Sequence, residues 1–183
     1  MCIRDRFELL HPFMDGNGRI GRLLIPLFLF TKGRLSSPNF YLSEYLESNR
    51  EEYYQRLGAI SQNNDWTGWI QFFLVAVTQQ SKENVARVRG IMALYERTKN
   101  QIRELTHSQF SDKITDALFD RPVFRIADLS ERTEIKTITV RSLLKPLQGE
   151  GGPLITLRSS AGSRPAVLAF PELLNICEGR TVF

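Results

Sequence analysis

A chain of 183 residues, 42% hydrophobic and 24% charged, has the composition of a soluble globular protein of one or two domains, which excludes wholesale disorder and fibrous repeats. Its net charge of +4 is spread along the chain rather than gathered into a tail, too mild a bias to name a polyanionic partner. The two cysteines, Cys2 and Cys177, stand near opposite ends in no metal-ligand spacing, which argues against a disulfide framework and a zinc site and favours a reducing cytoplasm.

The first six residues carry charges but no signal-peptide core, and a chemical motif at residue 11 leaves no room upstream for a supporting fold. They are therefore expected to be a truncation or an assembly junction. After the motif, residues 20–30 are apolar on nearly every side and close at Gly33, as in a buried bundle helix, with a kink expected at Pro26. The longest apolar run, residues 23–30, falls far short of the roughly 20 residues that cross a bilayer, so no membrane partner is expected. Ser36-Ser37-Pro38-Asn39 reads as a loop. A second helix is predicted over about 44–61, where Tyr45, Leu46, Tyr53, Leu57 and Ile60 stand near helical spacing. Asn63-Asn64-Asp65 offers caps for an apolar-striped segment from Trp66 to Tyr95, which reads as one long helix or as two helices broken near Ser81 or Gly90. Trp66, Trp69, Phe72 and Phe73 belong to its core-facing side, and His107 reads as an ordinary surface histidine.

At Thr106-His107-Ser108 the aromatic pattern stops, which predicts domains at 1–105 and 106–183. In the second, Ser111 opens a helix that Pro122 ends, Ile126 opens another that stops near Thr133, and Thr137 caps a third carrying Val140, Leu143, Leu144 and Leu147. Ile155-Thr156-Leu157 and Val167-Leu168-Ala169-Phe170 are two strands joined by a flexible tip that includes Ser163. Three helices followed by a hairpin make a winged helix-turn-helix. Lys136, Thr139, Arg141 and Lys145, with Arg158 or Arg164 on the wing, are its candidate DNA contacts. Ten cations stand against nine acids from Thr106 onward, so a protein-docking or dimerisation role competes with DNA binding.

Gly16-Asn17-Gly18-Arg19-Ile20-Gly21 satisfies the dinucleotide pattern G-x-G-x-x-G, but that fingerprint needs a preceding strand inside a β-α-β unit. Here His11-Pro12 precedes it and the later elements of the domain are helical. What remains is a glycine-rich turn entering a helix, a geometry that aims backbone N–H groups and the positive dipole end at an anion such as phosphate. Arg19 and Arg22 share a face at i and i+3 and, lying in the opening turns, oppose the dipole by roughly 0.3 to 1 kcal/mol each unless an anion is bound. Asp15 is a hard oxygen ligand of the kind Mg²⁺ takes beside substrate phosphates. His11 is suited to remove a proton from a hydroxyl, since imidazole changes charge nearest neutral pH.

These residues, His11-Pro12-Phe13-Met14-Asp15-Gly16-Asn17-Gly18-Arg19-Ile20-Gly21-Arg22, resemble the Fic family signature H-P-F-x-[DE]-G-N-G-R-x-x-R at every specified position. Tyr41-Leu42-Ser43-Glu44-Tyr45-Leu46 and the stretch from Asp65 to Leu74 look like bacterial Fic proteins that carry a C-terminal winged helix. The resemblance implies a mainly α fold, a helical Fic-type bundle lacking its N-terminal part, followed by a small winged helix-turn-helix domain with a β-hairpin wing. It implies that His11 deprotonates a Ser, Thr or Tyr hydroxyl of a target protein, which attacks the α-phosphate of ATP and releases pyrophosphate. Asp15 would hold Mg²⁺. Gly16, Asn17 and Gly18 would line an anion hole, Arg19 and Arg22 would meet the β- and γ-phosphates, and Phe13 would pack in the core to fix the loop. Tyr53 and Tyr54 are candidate acceptors within the chain itself, and a second copy of the chain is a candidate partner.

The family also has upstream helices and a β-hairpin flap, whereas ten residues precede His11. Its inhibitory pattern [ST]-x-x-x-E-[GN] is unmet: Ser43 with Glu47, Ser48 with Glu52 and Ser130 with Glu134 are followed by Ser48, Tyr53 and Ile135. Such a helix would lie upstream or on another protein.

Overall fold

The computed structural model describes residues 7, 10–38, 40, 42–162 and 164–183. The expectations placed on residues 1–6, including Cys2, and on Asn39, Tyr41 and Ser163 lie outside the described residues. The fold is mainly helical, and the chain divides into two compact units, Met1–Asn84 and Val85–Phe183. No described helix is long and apolar enough to cross a membrane.

The first unit contains α1 (Asn17–Thr31), α2 (Ser43–Ser48), α3 (Arg50–Asn63) and the opening half of α4 (Trp66–Thr106). Gly33, at φ 65°, follows the end of α1 in the left-handed region that closes helices, as its sequence position predicted. Pro26 lies inside α1 and is buried. The helix expected over 44–61 is two helices. Asn49 divides them: its backbone N–H and its Nδ2 both donate to the Tyr45 carbonyl, at 3.0 and 2.9 Å, so the side chain competes with the continuing helical ladder. The core of this unit gathers Leu42, Leu46, Tyr53, Phe72 and Ala76, with Trp69 and Phe73 packed against it. Phe72, Trp69 and Phe73 thus stand on the core side, while the Trp66 indole N–H donates to Asn64 Oδ1 at 2.9 Å.

α4 begins where Asp65 Oδ1 accepts the Gly68 N–H at 2.9 Å, a cap at the place the sequence suggested. It then runs unbroken through both Ser81 and Gly90. A single glycine costs a helix interior only about 1 kcal/mol, less than the packing along a stripe this long returns. The second unit starts within α4 rather than at residue 106, because Leu94 and Ile102 lie in its core.

That core joins Ile114 and Leu118 of α5 (Ser111–Asp120), Leu129 of α6 (Ile126–Thr133), Val140, Leu144 and Leu147 of α7 (Thr137–Leu147), and Leu173 of α8 (Pro171–Glu178). Three antiparallel strands complete it: β1 (Val123–Phe124), β2 (Ile155–Arg158) and β3 (Val167–Ala169), in the order β1-β3-β2. β1 has only two residues, too few for an alternating pattern to be visible in sequence. Neither Ser111 nor Thr137 caps its helix through the side chain. The Ser111 hydroxyl donates to the Ser108 carbonyl at 2.6 Å, and Thr137 Oγ1 lies 2.9 Å from Ser130 Oγ, tying α7 to α6.

The turn from α7 to β2 depends on Gly152, whose N–H donates to the Gly149 carbonyl at 2.9 Å; a Cβ there would sit 2.2 Å from the Leu147 carbonyl oxygen. Backbone cannot yield that distance cheaply. Gly152→Ala is expected to destabilise the second unit by about 1–3 kcal/mol, a fall of several degrees in its melting temperature by circular dichroism; an unchanged transition would show that the turn tolerates a side chain.

Exposed ion pairs brace the same unit. Arg103 donates twice to Asp112, at 2.9 and 2.8 Å, and holds its carboxyl below the usual range; Arg125 does the same to Asp128, at 2.8 Å through two nitrogens. The Tyr95 hydroxyl donates to Asp116 Oδ1 at 2.6 Å, which pushes its pKa up to about 12. A carboxyl lowered on folding stabilises above its unfolded value, about 3.9, and loses that contribution as pH falls through the folded value. Melting temperature should therefore decline below about pH 4, and the decline should be shallower in Asp112→Asn than in the native chain; equal slopes would remove the pair as a cause.

Candidate functional site

The segment from His11 to Arg22 forms a turn leading into the first turns of α1. His11 adopts φ 43°, in the left-handed region that histidine visits more often than most residues, and its N–H donates to the Phe7 carbonyl at 3.1 Å. Gly16 stands at the N-cap with φ 81°, a conformation that a side chain would strain.

The turn is held by Asn17. Its side chain is 2% exposed; Oδ1 accepts the Phe13 N–H at 3.0 Å and Nδ2 donates to the Phe13 carbonyl at 2.6 Å. This reciprocal pair satisfies both polar groups of one peptide residue and fixes the chain's approach to the helix. The ladder of α1 opens with Ile20 N–H donating to the Gly16 carbonyl at 3.0 Å, so the N–H groups of Asn17, Gly18 and Arg19 precede it and have no intrahelical acceptor. No acidic side chain occupies this first turn to neutralise them.

Phe13 departs from expectation. It is not in a core: its ring is 48% exposed and meets the Phe7 ring at 6.3 Å between centroids. The backbone of Phe13, rather than its ring, anchors the loop through Asn17. The Asn17 amide is correspondingly committed inside the loop, so what this residue can offer an anion is its backbone N–H.

Asp15 is exposed, with its side chain 92% accessible; Oδ1 accepts the Gly16 N–H at 2.6 Å and Oδ2 lies 3.4 Å from Arg19 Nη2. Arg19 thus leans back over the turn, its guanidinium 3.5 Å from where a Gly16 Cβ would be. Arg22 is partly buried, and its Nε has no hydrogen-bond partner among the described residues. A buried guanidinium nitrogen without an acceptor is costly, and an anion is the ligand that would satisfy it.

For a divalent metal, the donor set is one exposed carboxylate, and no group of three or more His, Cys, Asp or Glu side chains gathers among the described residues. That set fits Mg²⁺, which keeps water and substrate phosphates and needs only one or two protein carboxylates.

Sequence reasoning missed Gln80. It is buried on α4, accepts the Tyr45 N–H through Oε1 at 3.1 Å and donates to Asn84 Oδ1 at 3.2 Å, tying α2 to α4. Its signal was a polar residue four places after Ala76 on the apolar face. Tyr53 is buried in the core and is no acceptor for a bulky group, whereas Tyr54 is exposed with Arg50 over its ring. His107 is exposed at the end of α4. In the second unit Lys136, Arg141 and Lys145 are exposed but Thr139 is partly buried, and the overlooked residue is Ile138, 84% exposed. Arg158 reaches the Pro165 carbonyl at 3.5 Å across the hairpin.

If the Asn17 pair sets the loop, Asn17→Ala leaves the Phe13 N–H and carbonyl unpaired, a loss of about 1–3 kcal/mol. The expected result is faster limited proteolysis within residues 11–16; cleavage at the native rate would show that the loop is held otherwise.

Residues 2–29 match the model of the Fic/DOC family. The chain is 42% identical over 45 residues to a probable protein adenylyltransferase of Aquifex aeolicus, covering 25% of this chain and 14% of that protein. It is 42% identical over 57 residues to a Fido domain-containing protein of Dictyostelium discoideum, covering 27% of this chain and 38% of that one. The chain thus spans well under half the length of these curated relatives. Over its N-terminal segment, which carries the motif, the chain is thus similar to the Fic/DOC family.

Proposed function

We propose that the first unit carries the active site of a protein adenylyltransferase, which moves AMP from Mg-ATP to a hydroxyl side chain of a target protein. The observation that carries this reading is the turn locked by Asn17, with N–H groups at the start of α1 and the Nε of Arg22 on the same helix that find no acceptor among the described residues. The name of the Aquifex relative agrees with it.

In this reading His11 takes the proton of a Ser, Thr or Tyr hydroxyl as its oxygen bonds to the α-phosphorus, and the bond to the β-phosphate bridging oxygen breaks. Pyrophosphate leaves with that electron pair. The N–H groups of Asn17, Gly18 and Arg19 stabilise negative charge on the phosphate oxygens, and Arg19 and Arg22 hold the outer phosphates. Asp15 would hold Mg²⁺, which supplies charge neutralisation at the phosphates; Arg19 then gives up its contact with Asp15 for a phosphate oxygen. The site works by positioning and fixed charge. ATP as donor and the exposed free thiol of Cys177 suit the cytoplasm.

We read the second unit as a winged helix-turn-helix that contributes target choice or regulation. Supporting this is the element order α5-β1-α6-α7-β2-β3 with strand order β1-β3-β2, α6 and α7 forming the helix pair and β2 with β3 the wing.

The test is label transfer. With Mg²⁺ and cell lysate, α-labelled ATP should mark a protein and γ-labelled ATP should not, and His11→Ala should lower the rate by about 10²–10⁴. Transfer of the γ label, or α labelling indifferent to His11→Ala, would overturn the assignment.

A further inference from the structure

We propose that the exposed apolar side chains beside His11, Leu10, Phe13 and Met14, select the target protein: they take acceptor hydroxyls that have a bulky apolar residue within three positions, and Met14 is the side chain that reads it. The inference deepens the adenylyltransferase reading and rests on it.

Leu10 to Met14 are all exposed, and His11 has the one polar side chain among the five. Leu10 is 78% exposed, Phe13 48% and Met14 107%, so the methionine packs against nothing among the described residues. The next five positions have the opposite character. Asp15, Gly16, Asn17, Gly18 and Arg19 offer a carboxylate, a helix start without a side-chain cap and a guanidinium. This segregation matches the two sides of the transfer. The attacking and leaving oxygens of a phosphoryl transfer lie roughly in line across phosphorus, so the acceptor approaches from the side opposite pyrophosphate. Residues 15–22 serve the phosphates, whereas His11 has to reach the hydroxyl, and its neighbours along the chain are apolar.

Three residues of chain span at most about 11 Å, which bounds the separation of Met14 from His11. An extended acceptor segment advances at most about 3.6 Å per residue, so residues one to three places from the hydroxyl come within reach of Met14. Single apolar groups scattered over a surface are ordinary, but three within five positions beside the base are not scattered. The fold buries none of Met14, and the signature leaves its position open, so neither packing nor phosphate chemistry accounts for it. A flexible, polarisable thioether adapts to apolar partners of different shape, which suits selection of a class of residue rather than of one. A charged residue beside the hydroxyl would lose hydration over Leu10 and Phe13 without gaining a partner. The next charged side chains toward α1, Asp15 and Arg19, lie 3.4 Å from each other and serve the phosphate side.

The experiment uses the full chain and three pairs of fluorescent peptides of about ten residues, with one central Ser, Thr or Tyr. Within a pair the two residues flanking the hydroxyl are Leu in one peptide and Glu in the other. Affinity is read by anisotropy with Mg²⁺ and α,β-methylene ATP, and transfer with α-labelled ATP. In at least one pair the Leu peptide should bind at least about tenfold more tightly, the scale of one buried apolar side chain. Met14→Glu should remove that preference by weakening the Leu peptide. In transfer it should raise KM far more than it lowers kcat, because the contact is the same in ground and transition states. Met14→Leu should retain the preference. Met92→Glu, at another exposed methionine, on α4, should change neither measurement, which separates docking beside His11 from general adhesion. Equal binding within every pair, or an undiminished preference in Met14→Glu, would overturn the proposal. So would self-association, read by sedimentation, that Met14→Glu abolishes while the peptide preference stays, which reassigns these side chains to contact with a second copy. A preference for Leu peptides with no transfer of the α label supports the docking surface and removes the adenylyltransferase reading, so the two failures are distinct.

Discussion

The turn that leads into α1 depends on two hydrogen bonds from one buried side chain. The Asn17 amide accepts from the Phe13 N–H and donates to the Phe13 carbonyl, and in doing so it pins the turn against the helix it opens. An amide suits this position because it offers one acceptor and one donor side by side, matching a peptide residue's own donor and acceptor. Asn17 bonds back to the loop, no side-chain cap engages the first N–H groups of α1 among the described residues, and Gly16 supplies the left-handed step that brings the chain round. His11, Asp15 and the two arginines are placed relative to one another by that turn.

The second unit is organised by a different constraint, the coverage of one apolar core by the second half of α4, four shorter helices and three short strands. Its helices are short and strongly one-sided, and its sheet has one central strand, β3, with a partner on each side. The close approach of Gly152 to the Leu147 carbonyl sets how the chain leaves α7 and reaches β2. Charge follows the same division of labour. Arg97 and Arg103 on α4 pair with Glu172 and Asp112, and Arg132 on α6 pairs with Asp120, whereas Arg141 on α7 has no ion pair among the described residues.

α4 belongs to both units. Its first half contributes Phe72, Ala76 and Gln80 to one core, and its second half contributes Leu94 and Ile102 to the other. A change in aromatic content at residue 106 marks the end of this helix, not the point where packing changes hands. Composition varies with local sequence, but a core boundary is defined by which side chains touch, and a continuous helix carries no local sign of it.

The sequence by itself made the candidate chemistry of residues 11–22 legible, because a histidine, a carboxylate, a glycine-rich turn and two arginines within twelve positions need no distant partner to be read. It also determined most helices, since apolar period and terminal residues act within a few turns: Ile126–Thr133 and the strands near Ile155 and Val167 stand where pattern placed them. Only the tertiary structure decided that Asn49 splits one predicted helix, that Phe13 holds the loop through its backbone rather than its ring, that Gln80 is buried, and that β1 exists. Each of these depends on groups meeting across space, or on a segment too short to show a period. Whether a cation is paired is decided the same way, since ion pairs such as Arg97 with Glu172 join residues far apart in the sequence.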